Sequence, residues 1–577
     1  MSDEKLVANP SAKKKISFFS AILIVLGGSI GAGIFLRSKA VLNSSGGNLI
    51  WAIIVWLIAG FAVVTMALGL VEVASGRNDN LGMIGWAKAF NTLKIYKAVK
   101  FFMTYLYLPF TYFFMPYYVI VQFQDGFGAF GVNIAFGATW DSVANAWVHG
   151  AVSKAAPWLY FLIGLGLTVW MIFSAGISSR AGNIQNWIVT AVKFIPLVAV
   201  TVIGFVYFGK QIGNGIVNPE KPSAEQIKYL DLVTKLNLFD KTSNSFLGLS
   251  PFLGVFSALG AIFFAFDGFY VTAGVQSEMK HPEKTPAALT IGLFSMTFIY
   301  IIIAVAMTLG AGNGGFYAFG DKLANDKVGW VFGIVNICIA IGIIGILNGF
   351  TMWASRWIED LIKEGEIWVP TRVYKYMKNS KMPIVGSLYV LFLSLPFMII
   401  FTAIGAYAYI PIWDEGVYGY QIAQLLSFSD LMANWMAIFA FAFISLSIVG
   451  ALQNRKKHFI AVTENKHTKW AGLTAVVIIL TVMGFYVLDP FVSLGLSIAH
   501  KSQSDIISYS CTSALFIIFC LISFLGGTFE KMVADKRQAK YAKLLASSTL
   551  SAKEREEIMI GKELNDLILK TYAEARK

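Results

Sequence analysis

Charge is what this sequence has least of. Only 14% of its 577 residues are Asp, Glu, Lys or Arg, against about 25% in an ordinary soluble domain. A chain so poor in charge and 56% hydrophobic cannot keep its apolar surface out of water by folding alone, which excludes a large soluble multidomain protein. Cysteine is equally sparse. Cys338, Cys511 and Cys520 stand in apolar runs without CxxC spacing, and the five histidines, His149, His281, His458, His467 and His500, are scattered. Neither a disulfide framework nor a metal site is expected. No GxxxxGK[ST] run cradles a phosphate, so ATP drive within the chain is not expected and no cofactor is assigned. No His/Asp/Glu/Ser constellation is gathered at one end of the apolar runs, so no catalytic residue is assigned and an enzyme is not expected. The net charge of +13 is dispersed between hydrophobic segments, which argues against nucleic acid as a partner.

What the sequence has in excess is apolar runs of about twenty residues, the length that crosses a bilayer as a helix. They cover 16–36, 49–71, 99–123, 158–172, 187–208, 252–275, 289–310, 331–350, 384–406, 431–449, 471–488 and 506–525, twelve in all. Each must be helical, because a lone strand leaves backbone groups unsatisfied in lipid. The expected class is an all-α integral membrane protein of twelve transmembrane helices, with the lipid bilayer as its partner. The first run follows Lys13, Lys14 and Lys15, is longer than a signal-peptide core and ends without a small-residue cleavage site, so it reads as a retained helix. Counted alternately, the segments on the N-terminal side of the membrane hold most of the Lys and Arg, which places both termini in the cytoplasm. The expected plan is a cytoplasmic tail over 1–15, five spans over 16–208, an extracellular loop over 209–251, five spans over 252–449, two over 450–526, and a charged cytoplasmic tail over 527–577. That tail carries a capping-box pattern at Ser551 and Glu554.

The first and sixth spans differ from the rest. Each carries a helix-disfavouring cluster near its middle: Gly27-Gly28-Ser29-Ile30-Gly31-Ala32-Gly33 in the first and Phe266-Asp267-Gly268-Phe269 in the sixth. Five spans separate the two starts. An odd number reverses direction across the membrane, so the second half reads as an inverted copy of the first, a plan found in secondary transporters. An unwound backbone survives at midplane depth only where it lines a cavity or is buried in protein. Free amides at Gly31, Ala32 and Gly33, at the start of a half-helix, suit a carboxylate. The carbonyls of Ser29, Phe264 and Asp267, at the ends of the preceding half-helices, suit an ammonium. A zwitterion spanning the two sets is the natural ligand. The competing reading, glycines that only permit close helix packing, explains one cluster better than two at matched positions.

GGSIGAGIF (27–35), FFAFDGF (263–269) followed by Glu278, Lys280, Pro282 and Pro286, and NWIVTAVKFIP (186–196) resemble the amino acid-polyamine-organocation superfamily, and the likeness spans most of the chain. The resemblance implies the leucine-transporter fold, a 5+5 inverted repeat with discontinuous helices 1 and 6 and two further helices. It implies carriage of amino acids, polyamines or related organic cations by a permease in the cell membrane. It also implies a substrate-binding set of Ser29, Ile30, Gly31, Ala32, Gly33, Phe264, Phe266, Asp267 and Gly268, with Phe264 as an aromatic lid. Phe264 and Glu278 are the expected gate residues; Glu278 falls at the inner end of its helix, where a carboxylate is inexpensive, and fits an inner-gate or a structural role. In the family a lysine at the place of Lys193 sits near the first helix and can stand in for a sodium ion.

Lys193 is a candidate from the residues as well, since an ammonium inside an apolar span is costly unless paired or neutralised. The span 331–350 offers no Ser or Thr as a sodium ligand. Proton coupling or ion-independent exchange is therefore expected, with snorkelling or a tie to carbonyls as the alternative role of Lys193. Asp267 has three candidate roles: amine ligand, cap of the exposed amides, or proton carrier. Glu72 falls at the inner end of its span, where a carboxylate is inexpensive. An amino acid substrate is expected, with a polyamine or organic-cation carrier as the alternative and a membrane nutrient sensor or channel more remote. The sequence leaves the oligomeric state open.

Overall fold

Backbone groups in hydrocarbon must pair within their own segment, and the apolar runs accordingly fold as helices. The computed structural model describes residues 17–29, 31, 33–77, 81–132, 134, 136, 138–141, 146–149, 155–215, 253–270, 280–281, 284–380, 382–409, 422–546 and 550–574. The helices run in chain order as α1 (Phe18–Ser29), α2 (Gly33–Ser44), α3 (Leu49–Ser75), α4 (Met83–Phe90), α5 (Leu93–Phe102), α6 (Leu108–Ala129), α7 (Ala156–Met171), α8 (Ser179–Gly215) and α9 (Gly254–Phe266). They continue as α10 (Thr285–Ala311), α11 (Ala318–Asn325), α12 (Gly329–Lys363), α13 (Thr371–Asn379), α14 (Ile384–Tyr407), α15 (Ala423–Lys457), α16 (Thr468–His500), α17 (Gln503–Leu545) and α18 (Ala552–Glu574). Among the described residues nine helices are long and apolar enough to cross a membrane: α3, α7 with the turn that follows it, α8, α10, α12 and α14 to α17. The chain is a multi-pass membrane protein.

The first and sixth expected spans fall short of that length, and the third, long enough, is rich in Tyr, Pro and Gln and falls short in hydropathy. The first divides into α1 and α2, and the sixth stops at Phe266. The third is α5 and α6 joined by a π-helical turn, Met103–Tyr107. Such a turn shifts the helix face by part of a turn and recurs at functional sites. The all-helical expectation also misses a two-stranded antiparallel hairpin, Ala138–Asp141 with Ala146–His149, in which Ala138 stands opposite His149. It falls in a connection between spans, where lipid does not impose a helix, and its Thr, Trp and Val suit a strand. The helix α8 continues to Gly215, so the expected loop over 209–251 begins in helical conformation.

The most enclosed of the spanning helices is α15, which runs buried from Met432 through Ile444 apart from Asn434. Where it ends, the sequence reading of Glu72 is corrected. Glu72 is fully buried and no solvated carboxylate. Arg455 at the end of α15 donates to both its oxygens, from Nε at 3.0 and 3.1 Å and from Nη2 at 2.5 Å. Arg455→Met leaves that carboxylate buried without its cation, at a cost of about 3–5 kcal/mol. The melting temperature of the detergent-solubilised protein is expected to fall clearly; an unchanged value would remove the pair from the fold's supports.

The described residues of the charged tail are mostly helical. The last spanning helix, α17, runs on past its apolar part to Leu545, and α18 packs back on it. The capping box read from the sequence forms at the start of α18: the Ser551 hydroxyl accepts from the Glu554 amide at 3.3 Å, and the Glu554 carboxylate accepts from the Ser551 amide at 3.0 Å.

Candidate functional site

The interruptions in α1/α2 and after α9 lie against each other. A Cβ placed on Gly33 would stand 2.9 Å from both Cα and Cβ of Ala265, so the start of α2 and the end of α9 touch backbone to backbone. Only glycine permits that approach. Gly31 lies between α1 and α2, while Ile30 and Ala32 fall outside the described residues. In the second break the Asp267 amide bonds the Phe264 carbonyl at 3.1 Å, and Gly268 takes φ +95°, a conformation that favours glycine. The Asp267 carboxylate accepts from the amide of Gly268 at 3.0 Å and from the Tyr107 hydroxyl at 2.7 Å. Tyr107 and Tyr270 hydroxyls are 2.8 Å apart. Tyr107 is the last residue of the π-helical turn, which delivers its hydroxyl to the break.

A cavity of about 560 Å³ opens at this meeting point. Gly31, Gly33, Phe264, Asp267 and Gly268 line one side of it. Against them α12 contributes Ile343, Ile346, Phe350 and Trp353, a stripe at helical spacing, and the third span contributes Tyr107, Thr111, Phe114 and Tyr118, another. Asp267 is the one charged residue among the described lining residues. The cavity runs along α1 to Ser20 and Leu23 and reaches Asn186, Trp187 and Thr190 of α8.

Toward α2 the cavity is covered. The Phe264 ring lies under the Arg37 guanidinium, 4.7 Å from ring centroid to Cζ. Phe114 and Tyr118 flank it at 5.9 and 6.0 Å. Arg37 is buried and donates to Asp430 of α15. Its other nitrogen reaches the Tyr118 hydroxyl at 3.2 Å, and that hydroxyl donates to Asp430 at 3.0 Å. The Phe264 ring is thus overlaid by an ion pair between buried Arg37 and partly buried Asp430 that joins α2, the third span and α15.

The other expected site residues are placed as follows. Ser29 ends α1. Phe266 is fully buried with its ring on Tyr300, 5.4 Å between centroids, and does not line the cavity. Lys193 is buried on α8 one turn beyond Thr190, and a Cβ on Gly342 of α12 would stand 3.6 Å from its own Cβ; it too is absent from the described lining. Glu278 falls outside the described residues. Sequence reading missed Tyr107, Tyr270, Arg37, Tyr118 and Asp430. Arg37 and Asp430 each stood one residue outside a counted span and passed as loop charges; their placement at the ends of the first and tenth spans was the available signal. Among the described residues no group of three or more His, Cys, Asp or Glu is placed to hold a metal ion.

Residues 16–519 match the profile of the family described as amino acid permease. A Mycoplasma pneumoniae protein (strain ATCC 29342 / M129), described as uncharacterized, is 40% identical over 89% of this chain and 93% of its own length. The serine/threonine exchanger SteT of Bacillus subtilis (strain 168) is 25% identical over 58% of this chain and 65% of its own. Among solved structures, that of MhsT in complex with L-phenylalanine covers 80% of this chain and 97% of its own with 14% identity and a TM-score of 0.45.

Proposed function

The chain belongs to the amino acid permease family of the amino acid-polyamine-organocation superfamily, and on that premise we propose that it is a secondary active transporter that moves amino acids across the cell membrane by alternating exposure of one central site. The family consists of membrane transporters and not of enzymes. The observation that carries the reading is the backbone contact of Gly33 with Ala265 beside a cavity: two interrupted helices meet where a zwitterion needs donors and acceptors together. Counting α1 with α2, α5 with α6, and α9 as one span each brings nine spans to twelve. That count is the basis for the two inverted five-helix repeats, the two further helices and the cytoplasmic termini in this proposal.

In this reading the amides at Gly31, Ala32 and Gly33 hold the substrate carboxylate, and the carbonyls near Ser29, Phe264 and Asp267 hold its ammonium. The Phe264 carbonyl already accepts one hydrogen bond, from Asp267, and keeps a second lone pair. Asp267 is the cap of the break, because its carboxylate is engaged by the Gly268 amide and Tyr107. A polyamine would need several unengaged acids in the cavity wall. The stripes from α12 and the third span instead offer a wide apolar and aromatic compartment, which suits a large uncharged side chain over an acidic or strongly basic one. Phe264 under Arg37 closes the cavity on the side of α2, and the wall along α1 and α8 forms the path to the cytoplasm, with Glu278 as its gate.

Lys193 is the proposed coupling group, a buried ammonium that releases and regains a proton as the cavity changes sides. Counterflow of the proteinogenic amino acids and common polyamines in proteoliposomes, at two pH gradients, tests class and coupling together. Large neutral amino acids are expected to exchange best, and accumulation is expected to follow the gradient in the wild type but not in Lys193→Ala. Exchange of polyamines alone would overturn the substrate assignment. A mutant that still follows the gradient would overturn the coupling role.

A further inference from the structure

The cytoplasmic ends of two helices that line the cavity, the third span and α12, are tied together by a buried ionic cluster that transport as described leaves unused. Lys97 and Lys100 of α5, at the foot of the third span, are buried, and so is Glu366, three residues past the end of α12. Glu366 faces Lys88 at 3.1 Å, Lys97 at 3.5 Å and Lys100 at 3.6 Å, and accepts from the Tyr96 hydroxyl. Glu530 of α17 accepts from Lys100 at 2.6 and 2.8 Å and from Lys97 at 3.4 Å. The helix α18 closes the cluster. Lys97 donates to Thr571 at 2.7 Å and lies 4.0 Å from the centroid of the Tyr572 ring, and the Tyr572 hydroxyl stands 2.6 Å from Glu530. Beside it, Asn565 donates to the Ala534 carbonyl at 3.0 Å, and Leu564 and Ile568 are buried. A Cβ on Gly365 would stand 2.7 Å from that of Leu567, so α18 rests directly on the turn that carries Glu366.

We propose that α18 is a releasable clasp which, while docked, holds the cytoplasmic ends of α5 and α12 as one body and so sets the transport rate according to cytoplasmic pH. The proposal rests on the transport reading above, because the walls it steadies are those of the proposed substrate cavity. The pairing distances supply the sensitivity. Three ammonium groups, Lys88, Lys97 and Lys100, face two carboxylates, Glu366 and Glu530, with Tyr96, Tyr105, Tyr389 and Tyr572 as titratable neighbours and Arg537 and Asp535 of α17 beside them. Of the three ammonium groups Lys97 is the most distantly paired, 3.5 and 3.4 Å from the two carboxylates. Burial and then the neighbouring Lys100 push it down to about 7 against the pull of Glu366 and Glu530. Burial alone would raise Glu366, yet Lys97, Lys100 and Lys88 hold it down to about 2; it stays ionised.

Release of α18 returns Lys97 to water and to the ordinary lysine range near 10.4, so release takes up a proton. Docking therefore strengthens as pH rises above about 7 and loses that contribution below it, where Lys97 is protonated in both states. Between pH 8.5 and 6.5 one such proton shifts the docking equilibrium about 25-fold toward release. Two measurements on the full chain test this. Amide hydrogen exchange over 552–574, corrected for intrinsic rate, is expected to accelerate by up to about 25-fold at pH 6.5 relative to 8.5 in the wild type, and not in Lys97→Met, which cannot take up the proton. Counterflow at equal pH on both sides is expected to be slower at 6.5 than at 8.5 in the wild type, to keep only the weaker pH dependence that Lys193 imposes in Lys97→Met, and to be slow at both values when the chain ends at Leu545. A shortened chain, or Lys97→Met, with the wild-type rate and pH profile would overturn the clasp. Absence of counterflow in the wild type at both pH values would instead bring down the transport reading on which it rests, while the exchange measurement still reports docking.

Discussion

Gly33→Val is expected to abolish counterflow, to below about 1% of the wild-type rate, while the protein still inserts and purifies. The added Cβ would stand 2.9 Å from the Cα and Cβ of Ala265, atoms that cannot move without separating α2 from α9. Overpacking of a rigid contact costs about 1–3 kcal/mol, and here the relaxation that relieves it pulls apart the two half-helices proposed to hold the substrate. Gly31 offers the control. A methyl there meets only the δ-carbon of Ile346, the far end of a flexible side chain, so Gly31→Ala should slow exchange by several-fold at most. The double variant Gly31→Ala, Ile346→Ala should recover much of that loss. Equal effects at Gly31 and Gly33, or wild-type exchange by Gly33→Val, would show that the contact between the breaks is not where substrate is held.

Asp430→Ala is expected to slow counterflow by about 100-fold or more. Leaving a buried charge without its counter-ion costs about 3–5 kcal/mol, each 1.4 kcal/mol being tenfold, and buried Arg37 keeps, among the described residues, only the neutral Tyr118 hydroxyl and the Phe264 ring. The guanidinium is then no longer held over the Phe264 ring, and the lid loses its pin. Equilibrium binding of a labelled substrate should weaken far less than exchange, since Asp430 does not line the cavity. Asp430→Glu, which keeps the charge, should recover part of the rate. Exchange at the wild-type rate in Asp430→Ala would remove the lid from the transport cycle.

The positions of the breaks were legible because a helix can be interrupted in lipid only by residues that tolerate it. Gly31, Gly33 and Gly268 advertise that locally. The pins of the lid were not. Arg37 and Asp430 are 393 residues apart, and nothing in the neighbourhood of either says that the other will bury it. Tyr107 was hidden for a different reason: the π-helical turn at Met103–Tyr107 displaces the face that regular helical spacing would assign. The tail read as a charged segment with a helix cap. The cap was right, but Glu530 within it faces Lys97 and Lys100 of α5, partners more than 400 positions away that no local pattern announces.

The sequence alone determined that this chain lives in a bilayer, where its first and sixth spans are interrupted, and that it resembles the amino acid permeases. Those properties follow from composition and from backbone rules that act over one or two helical turns. Which side chains cover the cavity, which acid is engaged as a cap, and how the last helix packs on α17 and on the turn after α12 were decided by tertiary structure. Each is a pairing between residues far apart in the chain, and burial makes such charges tolerable only after packing has brought their partners within hydrogen-bonding distance.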